Sequence, residues 1–223
     1  MQKPPGQQGP SPFGTLQESA ARSSAQNTSS ERFRHSTYLV RRKLLKLVGA
    51  AFYVDDPAGN VVLYANQKGF KLKEDIRLYT GEDMQVELLT IKARNWLDIS
   101  AVYDVHDATN GEKVGALKRK GVKSMIQDEW VLLDVQEREI GTIKEESLVL
   151  ALIRRFIDLA SFFLPQKYNA TIGDREVATF KQSKNPFLIK IEVDFSSDSS
   201  NLLDRRLGLA AAIMISAIEG KQH

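Results

Sequence analysis

The chain has 223 residues, of which 42% are hydrophobic and 26% charged, so it is long enough to bury a substantial core and polar enough to remain soluble. Its formal net charge is +3, and Lys and Arg are interleaved with Asp and Glu, which disfavours nucleic acid as a partner. It contains no cysteine, which excludes disulfides, thiolate metal sites and a cysteine nucleophile. Residues 1–12 lack an apolar signal segment, which predicts a cytoplasmic location.

Residues 1–36 are predicted to form a disordered tail. They are rich in Gln, Pro, Gly and Ser and contain few large apolar side chains. Such a composition cannot offset the roughly 1–2 kcal/mol of backbone entropy lost per ordered residue. The folded domain is therefore expected to span residues 37–223.

From Tyr38 onward, short apolar runs with a period near two alternate with turn residues, which predicts antiparallel hairpins. Residues 51–54 and 61–64 flank a turn in which Pro57 fixes one φ and Gly59 can take a positive one. The pattern recurs in four further pairs, 75–79 with 86–92, 99–105 with 114–118, 129–135 with 139–144, and 168–172 with 176–181, and a last strand covers 187–195. So many short strands favour a mainly β fold, an antiparallel barrel or a sandwich, over a parallel α/β sheet. We expect a closed barrel, because closure removes the sheet edges.

The C-terminal segment is predicted to form a helix over about 202–219 that fills this barrel. Residues 207–218 are apolar on every side, which indicates burial, and the run is shorter than the ~17–25 residues that a bilayer requires. A second helix is predicted over 147–163, with one apolar stripe. We expect it to form a lid over one barrel end; the alternative is a membrane-surface or partner-binding element.

Several motifs resemble a known family. They are Tyr-Leu-Val-Arg-Arg-Lys at 38–43, the hairpin at 52–62, Val-Tyr-Asp-Val-His-Asp at 102–107 with Gly-Glu-Lys-Val-Gly at 111–115, and Leu-Asp-Arg-Arg-Leu-Gly-Leu-Ala-Ala-Ala at 203–212. In this order they resemble the LURP-one-related and phospholipid scramblase branch of the Tubby C-terminal-like superfamily. The resemblance implies a closed barrel of about twelve strands around the C-terminal helix. It also implies a lipid-associated or phosphoinositide-binding role, without fixing the activity.

Scramblase relatives are thought to use a calcium site just before the terminal helix. The matching stretch here, residues 194–204, lacks the Asp-x-Asp-x-Asp-Gly core, and Arg205 stands where a bidentate Glu would close the loop. A capped loop before a helix explains the same residues, so no cofactor is expected. The three histidines have no metal-binding spacing, and His106 has no nucleophile placed beside it. Nucleotide-binding and hydrolase motifs are also absent, which favours a non-enzymatic protein.

Two basic clusters are the remaining candidate sites. Their members are Arg41, Arg42, Lys43 and Lys46 in and after the first strand, and Lys118, Arg119, Lys120 and Lys123 at a hairpin exit. These side chains are candidates for binding anionic lipid headgroups, each contributing about 1 kcal/mol toward an acidic membrane. The alternative is that they solubilise a strand face or guard a sheet edge.

The leading hypothesis is a non-enzymatic, peripheral module that binds anionic phospholipid or phosphoinositide. A second hypothesis is a lipid scramblase, which would require the terminal helix to leave the barrel and cross a bilayer. A third is a soluble scaffold that binds a protein partner through the tail and the helix predicted over 147–163.

Overall fold

The computed structural model describes residues 30–45, 49–68, 75–94, 101–120, 129–146, 166–183 and 188–219. They form strands β1 to β12 and a C-terminal helix, α1, and residues 30–32 are also helical. The strands are Thr37–Leu45, Gly49–Asp55, Val61–Lys68, Ile76–Tyr79, Glu87–Ala93, Val102–Asp107, Lys113–Arg119, Glu129–Leu133, Glu139–Glu145, Gln166–Ile172, Arg175–Ser183 and Leu188–Asp194. Helix α1 is Arg205–Glu219.

The strands close into one antiparallel barrel in which every strand pairs with its neighbours along the chain. Closure comes from β1 and β12, whose register places Val40 opposite Ile191. The barrel therefore confirms the fold class predicted from the alternating strands. A closed barrel has no edge strand, so guarding an edge does not explain the lysines on its surface.

Side-chain acceptors shape the short turns that link the strands at one end. In the β2–β3 turn, Asp56 Oδ1 accepts hydrogen bonds from the backbone N–H groups of Ala58 and Asn60, at 2.9 and 2.8 Å. Asp134 makes the same pair of bonds to Gln136 and Arg138. Asp fits these positions because its short carboxylate can bond to the backbone two residues on. We call this end, which includes the start of α1, the turn end.

Helix α1 runs through the barrel from the turn end to the opposite end, which we call the far end. Its residues 207–218 are all buried, and Ala210, Ala211 and Ala212 are completely inaccessible. Small side chains there allow the surrounding sheet to approach the helix closely, while residues such as Ile213 and Met214 fill the wider spaces. The structure thus confirms a central apolar helix.

At the far end, the strands are joined by the connections 46–48, 69–74, 95–100, 121–128, 147–165 and 184–187, which lie outside the described residues. The helix predicted over 147–163 falls in this set. At the turn end, residues 30–36 of the predicted tail pack on the barrel. Phe33 is 7% exposed, and Arg32 Nη1 donates to the carbonyls of Val62 and Thr80 at 2.7 and 3.0 Å. The rest of the predicted tail lies outside the described residues.

Candidate functional site

The first basic cluster lies on β1, where alternation divides it between the two faces of the barrel wall. Arg41 points outward and forms a bidentate ion pair with Asp55, with Nε–Oδ2 and Nη2–Oδ1 distances of 2.5 and 2.8 Å. Its guanidinium also lies 5.0 Å from the ring centre of Tyr53. The hydrogen bond to Asp55 raises the pKa of Arg41, so this charge is permanent but already neutralised. Lys43 is exposed, without a carboxylate partner among the described residues.

Arg42 lies inside the barrel. Its side chain is 1% exposed, and Nη1 donates to the Ser216 carbonyl near the C-terminus of α1 at 3.1 Å. Burial lowers the pKa of Arg42. Because it faces the helix, Arg42 cannot contact a surface that approaches Arg41 and Lys43 from outside.

The second basic cluster, on β7, is divided in the same way. Lys118 and Lys120 lie on the outside and pair with Glu139 and Glu129, at 3.9 and 2.8 Å. Arg119 pairs in the register with Trp130, whose side chain faces inward, so the side chain of Arg119 is on the inner face too. The position of Arg119 is also felt by Tyr103, which faces inward. Burial raises the pKa of Tyr103, and the nearby positive charge of Arg119 lowers it. Each cluster therefore places its middle arginine on the inner face.

The two clusters do not converge on one site. In the closed strand order, β1 and β7 are separated by five strands in either direction, so they lie on opposite sides of the barrel. A single headgroup cannot contact both. Lys46 and Lys123 lie outside the described residues.

The register brings other lysines next to the first cluster. Lys190 of β12 stands opposite Arg41 on one side and Ser183 on the other, and Lys181 of β11 lies two residues before Ser183. Lys43, Lys190 and Lys181 are thus successive diagonal neighbours, about 7–8 Å apart between backbones. All three are exposed, and none pairs with a carboxylate among the described residues. We call these three residues the lysine patch.

The lysine patch concentrates like charge at the cost of stability. Lys181 stands directly opposite Lys167 of β10, and like charges in that arrangement repel each other. The charge of Lys167 is compensated by an ion pair with Glu146, with an Nζ–Oε2 distance of 2.9 Å. Glu192 of β12 lies opposite Lys181 but forms no ion pair with it. Lys181 and Lys190 could not be recognised from the sequence, because their position next to β1 depends on the long-range β1–β12 pairing.

Charge is distributed unevenly between the two ends of the barrel. Cations dominate the far ends of the described strands, at Lys43, Lys92, Lys118, Lys120, Lys144, Lys167, Lys181 and Lys190. Carboxylates dominate the turns of the opposite end, at Asp56, Glu82, Asp83, Glu112, Asp174 and Glu176. The described part of the molecule therefore has a positive far end and a negative turn end.

The turn end holds a cavity of about 640 Å³ beside the start of α1, lined by Phe33, Asp107, Asn201 and residues 202–206, among others. Its charged groups are already paired. Arg206 bridges buried Asp107 and Asp204, each at 2.6 Å. Asp198 accepts from the N–H groups of Leu202 and Leu203 and pairs with Arg205 at 2.9 Å. These bonds cap the loop that precedes α1.

The groups considered for catalysis or metal binding are also engaged. Asp104 pairs with Arg94 at 2.6 Å and with Lys113 at 3.0 Å. Burial raises the pKa of Asp104, but bonds from these two cations outweigh it and leave the pKa below its usual value. His106 shares the outer face with Asp104, whereas Asp107 is buried, because successive side chains of a strand point to opposite faces. In the part of the chain that the structure describes, no group of three or more acidic, His or Cys side chains is arranged for a metal ion.

Comparisons with known proteins give a family match and a distant structural likeness. A family model described as LURP-one-related matches residues 61–216. No curated protein matches the chain. The X-ray structure of a protein from Arabidopsis thaliana is similar at 12% sequence identity and a TM-score of 0.42, covering 83% of this chain and 93% of that one.

Proposed function

The chain belongs to the LURP-one-related family, and from that premise we propose that it is a non-enzymatic module that binds anionic phospholipid surfaces with the far end of its barrel. The observation that carries the proposal is the lysine patch, Lys43, Lys181 and Lys190, on three adjacent strands. Its members have no carboxylate partners among the described residues, so their charge is available to an external anion. Each Lys near an acidic membrane contributes about 1 kcal/mol to binding.

The charge distribution supports one orientation on such a surface. A membrane with anionic headgroups attracts the positive far end and repels the carboxylates of the turn end. Both forces turn the same face toward the lipid, and both weaken with salt because the Debye length is only about 8 Å at physiological ionic strength. The ligand proposed is an anionic phospholipid or phosphoinositide headgroup.

Sedimentation with vesicles tests the proposal. The protein is mixed with neutral, phosphatidylserine-containing and phosphoinositide-containing vesicles at low and physiological salt. We expect binding to anionic vesicles alone, and a triple variant, Lys43→Ser with Lys181→Ser and Lys190→Ser, should bind about a hundredfold more weakly.

A matched variant removes the same net charge from the turn end, through Arg34→Ser, Arg138→Ser and Arg175→Ser, all at exposed positions. It should retain binding. Equal losses in the two triple variants would show that overall charge, not the lysine patch, drives adsorption. No binding to any vesicle would refute the lipid proposal. A protein-binding scaffold would then be the hypothesis to pursue, tested by deleting residues 1–29, which keeps Arg32 and Phe33 in place, and following co-purification.

No observation favours the scramblase alternative. Helix α1 has 15 residues, fewer than the roughly 20 needed to span the hydrocarbon core, and it is buried among the strands. Within the described ranges, no helix has both the length and the apolar character that crossing a membrane demands.

A further inference from the structure

The interior of the far end contains buried polar atoms that lack a hydrogen-bond partner. Arg42 on β1 and Gln182 on β11 are each 1% exposed. Arg42 Nε and both polar atoms of the Gln182 amide are buried without a hydrogen bond, as is Oε1 of Gln166 on β10. Arg42 stands opposite Ile189 of β12 and Gln182 stands opposite Ile191, so these two buried side chains flank β12 from its two sides. Arg42 also lies beside the last turn of α1.

The two glutamines are the more informative part of this group. Gln182 and Gln166 stand directly opposite each other on neighbouring strands. Two side-chain amides in that position would normally satisfy each other, because each carries donors and an acceptor. Buried polar atoms in native proteins are nearly always bonded, so a group of unbonded ones marks a place where a polar ligand can bind.

Arg42 adds a positive charge that the described residues leave largely uncompensated. Its hydrogen bond goes to the Ser216 carbonyl, 3.1 Å away, and no carboxylate pairs with it among those residues. The C-terminus of a helix supplies only about half a negative charge. A buried guanidinium normally has a full anionic partner, since an unpaired charge is costly in a low-dielectric interior.

We propose that Arg42, Gln182 and Gln166 form an interior site for a single phosphate group, either free or as a phosphomonoester. A carboxylate ligand only accepts hydrogen bonds, which would leave the Gln166 and Gln182 carbonyl oxygens unbonded. A singly protonated phosphate supplies acceptor oxygens for Arg42 Nε and the Gln182 amide N–H, and a P–OH donor for an amide oxygen. This site is separate from the lysine patch, which lies on the outer face, and it does not depend on the proposed function.

The test is calorimetric titration of the full chain with inorganic phosphate, repeated with glycerol 3-phosphate, in buffers whose ionic strength is held constant with chloride. We expect saturable binding with one site per chain. Gln182→Leu should weaken it at least about tenfold, because two polar contacts are lost. Ser183→Ala, at the exposed neighbouring position on β11, should leave binding unchanged.

Gln182→Leu is preferred to an Arg42 variant because Arg42 also bonds to α1, and its loss risks unfolding. Replacing an unbonded buried amide by an apolar side chain of similar size should leave the ligand-free protein at least as stable, which thermal unfolding checks. The lysine-patch triple variant should bind phosphate normally, even where it no longer sediments with vesicles. Failure of that sedimentation therefore does not bear on the interior site.

Three results would overturn the proposal: no saturable binding by the wild-type chain, equal binding by Gln182→Leu, or equal weakening by Ser183→Ala. The first result would mean that only water bonds to the unbonded atoms of Arg42, Gln182 and Gln166. The other two would mean that phosphate binds elsewhere. Binding of glycerol 3-phosphate but not of inorganic phosphate would assign the site to a phosphomonoester headgroup; the opposite result would assign it to the free ion.

Discussion

Individual carboxylates determine the geometry of the turn end, and Asp198 is the most deeply embedded of them. Its side chain is 1% exposed, accepts two backbone N–H groups and pairs with Arg205. Burial acts to raise the pKa of Asp198, but bonds from Leu203, Leu202 and Arg205 outweigh it, and the pKa lies below its usual value. The ionised form is therefore the one that the fold stabilises.

This lowered pKa predicts a pH dependence of stability. Since the folded-state value lies below the unfolded value of about 3.9, Asp198 contributes stability above that pH, and the contribution is lost as pH falls through the folded-state pKa. Asp198→Asn should lower the free energy of unfolding by about 1–3 kcal/mol at pH 7. Urea unfolding between pH 7 and 2 should show the difference from wild type shrinking in acid. A difference independent of pH would contradict this role of the charge.

Gly208 gives a second prediction at the residue scale, because helix propensity and packing make opposite demands there. A Cβ at this position would lie 2.5 Å from Cε1 and 2.6 Å from Cζ of Phe195. That ring is itself confined by Tyr38 and by the Arg205 guanidinium, 4.5 Å from its centre. Gly208→Ala should therefore destabilise by about 1–3 kcal/mol, although alanine favours a helix by about 1 kcal/mol.

Thermal and urea unfolding of Gly208→Ala measure the sign of this effect. The control is the same change in a Phe195→Leu background, where the clash is relieved. The cost of Gly208→Ala should be smaller there, and a double-mutant cycle gives the coupling. A stabilised single variant would show that propensity outweighs packing at this position.

Part of the candidate site could be predicted at the residue scale, and part could not. Alternation along a strand already indicates that Arg42 faces away from Arg41 and Lys43, and that Arg119 faces away from its neighbours. Which of the two faces is the interior follows from the apolar residues on each strand. The proximity of Lys190 to Lys43 is different, because it depends on a pairing between strands about 150 positions apart in the sequence.

At the scale of elements, turn residues made the hairpins predictable. Each predicted pair appears, with ends displaced by up to four residues; the strand expected over 61–64 is Val61–Lys68, and the one expected over 99–105 is Val102–Asp107. Helix α1 begins at Arg205 because Asp198 and Asp204 fix the preceding loop, which the apolar pattern alone does not locate. The turn-forming residues of 194–204, which argued against a calcium site, supply these caps.

Helix α1 should tolerate changes in shape but not in volume. Ala211 is completely buried within the barrel, so Ala211→Leu would force the strands apart and should cost about 1–3 kcal/mol. Met214→Leu, on the same helix and equally buried, conserves volume and should cost less than about 1.5 kcal/mol. Urea midpoints of the two variants measure the contrast. Equal stabilities would mean that the helix does not sit tightly in its sheet.

At the scale of the whole molecule, β1 and β12 close the barrel around α1, so the first and last strands share one core with the helix. Sheet and helix should unfold together. Far-ultraviolet circular dichroism and fluorescence are expected to give coincident urea transitions, as in a two-state protein. A separate early loss of helix signal would show that α1 can leave the barrel, which the scramblase hypothesis requires.

The uneven charge of the two ends predicts an orientation on lipid that can be measured directly, since a chain without cysteine accepts single labels. Ser183→Cys places a label at the far end beside the lysine patch, and Asn110→Cys places one in the β6–β7 turn; both positions are exposed. With a polarity-sensitive dye, anionic vesicles should shift the emission at position 183 and leave that at 110 unchanged, because the carboxylates of the turn end are repelled by the same surface that attracts the lysines. Neutral vesicles should shift neither. Equal shifts at both positions on anionic vesicles would mean adsorption without a preferred face, and a shift at 110 alone would reverse the proposed orientation even if binding itself depends on charge.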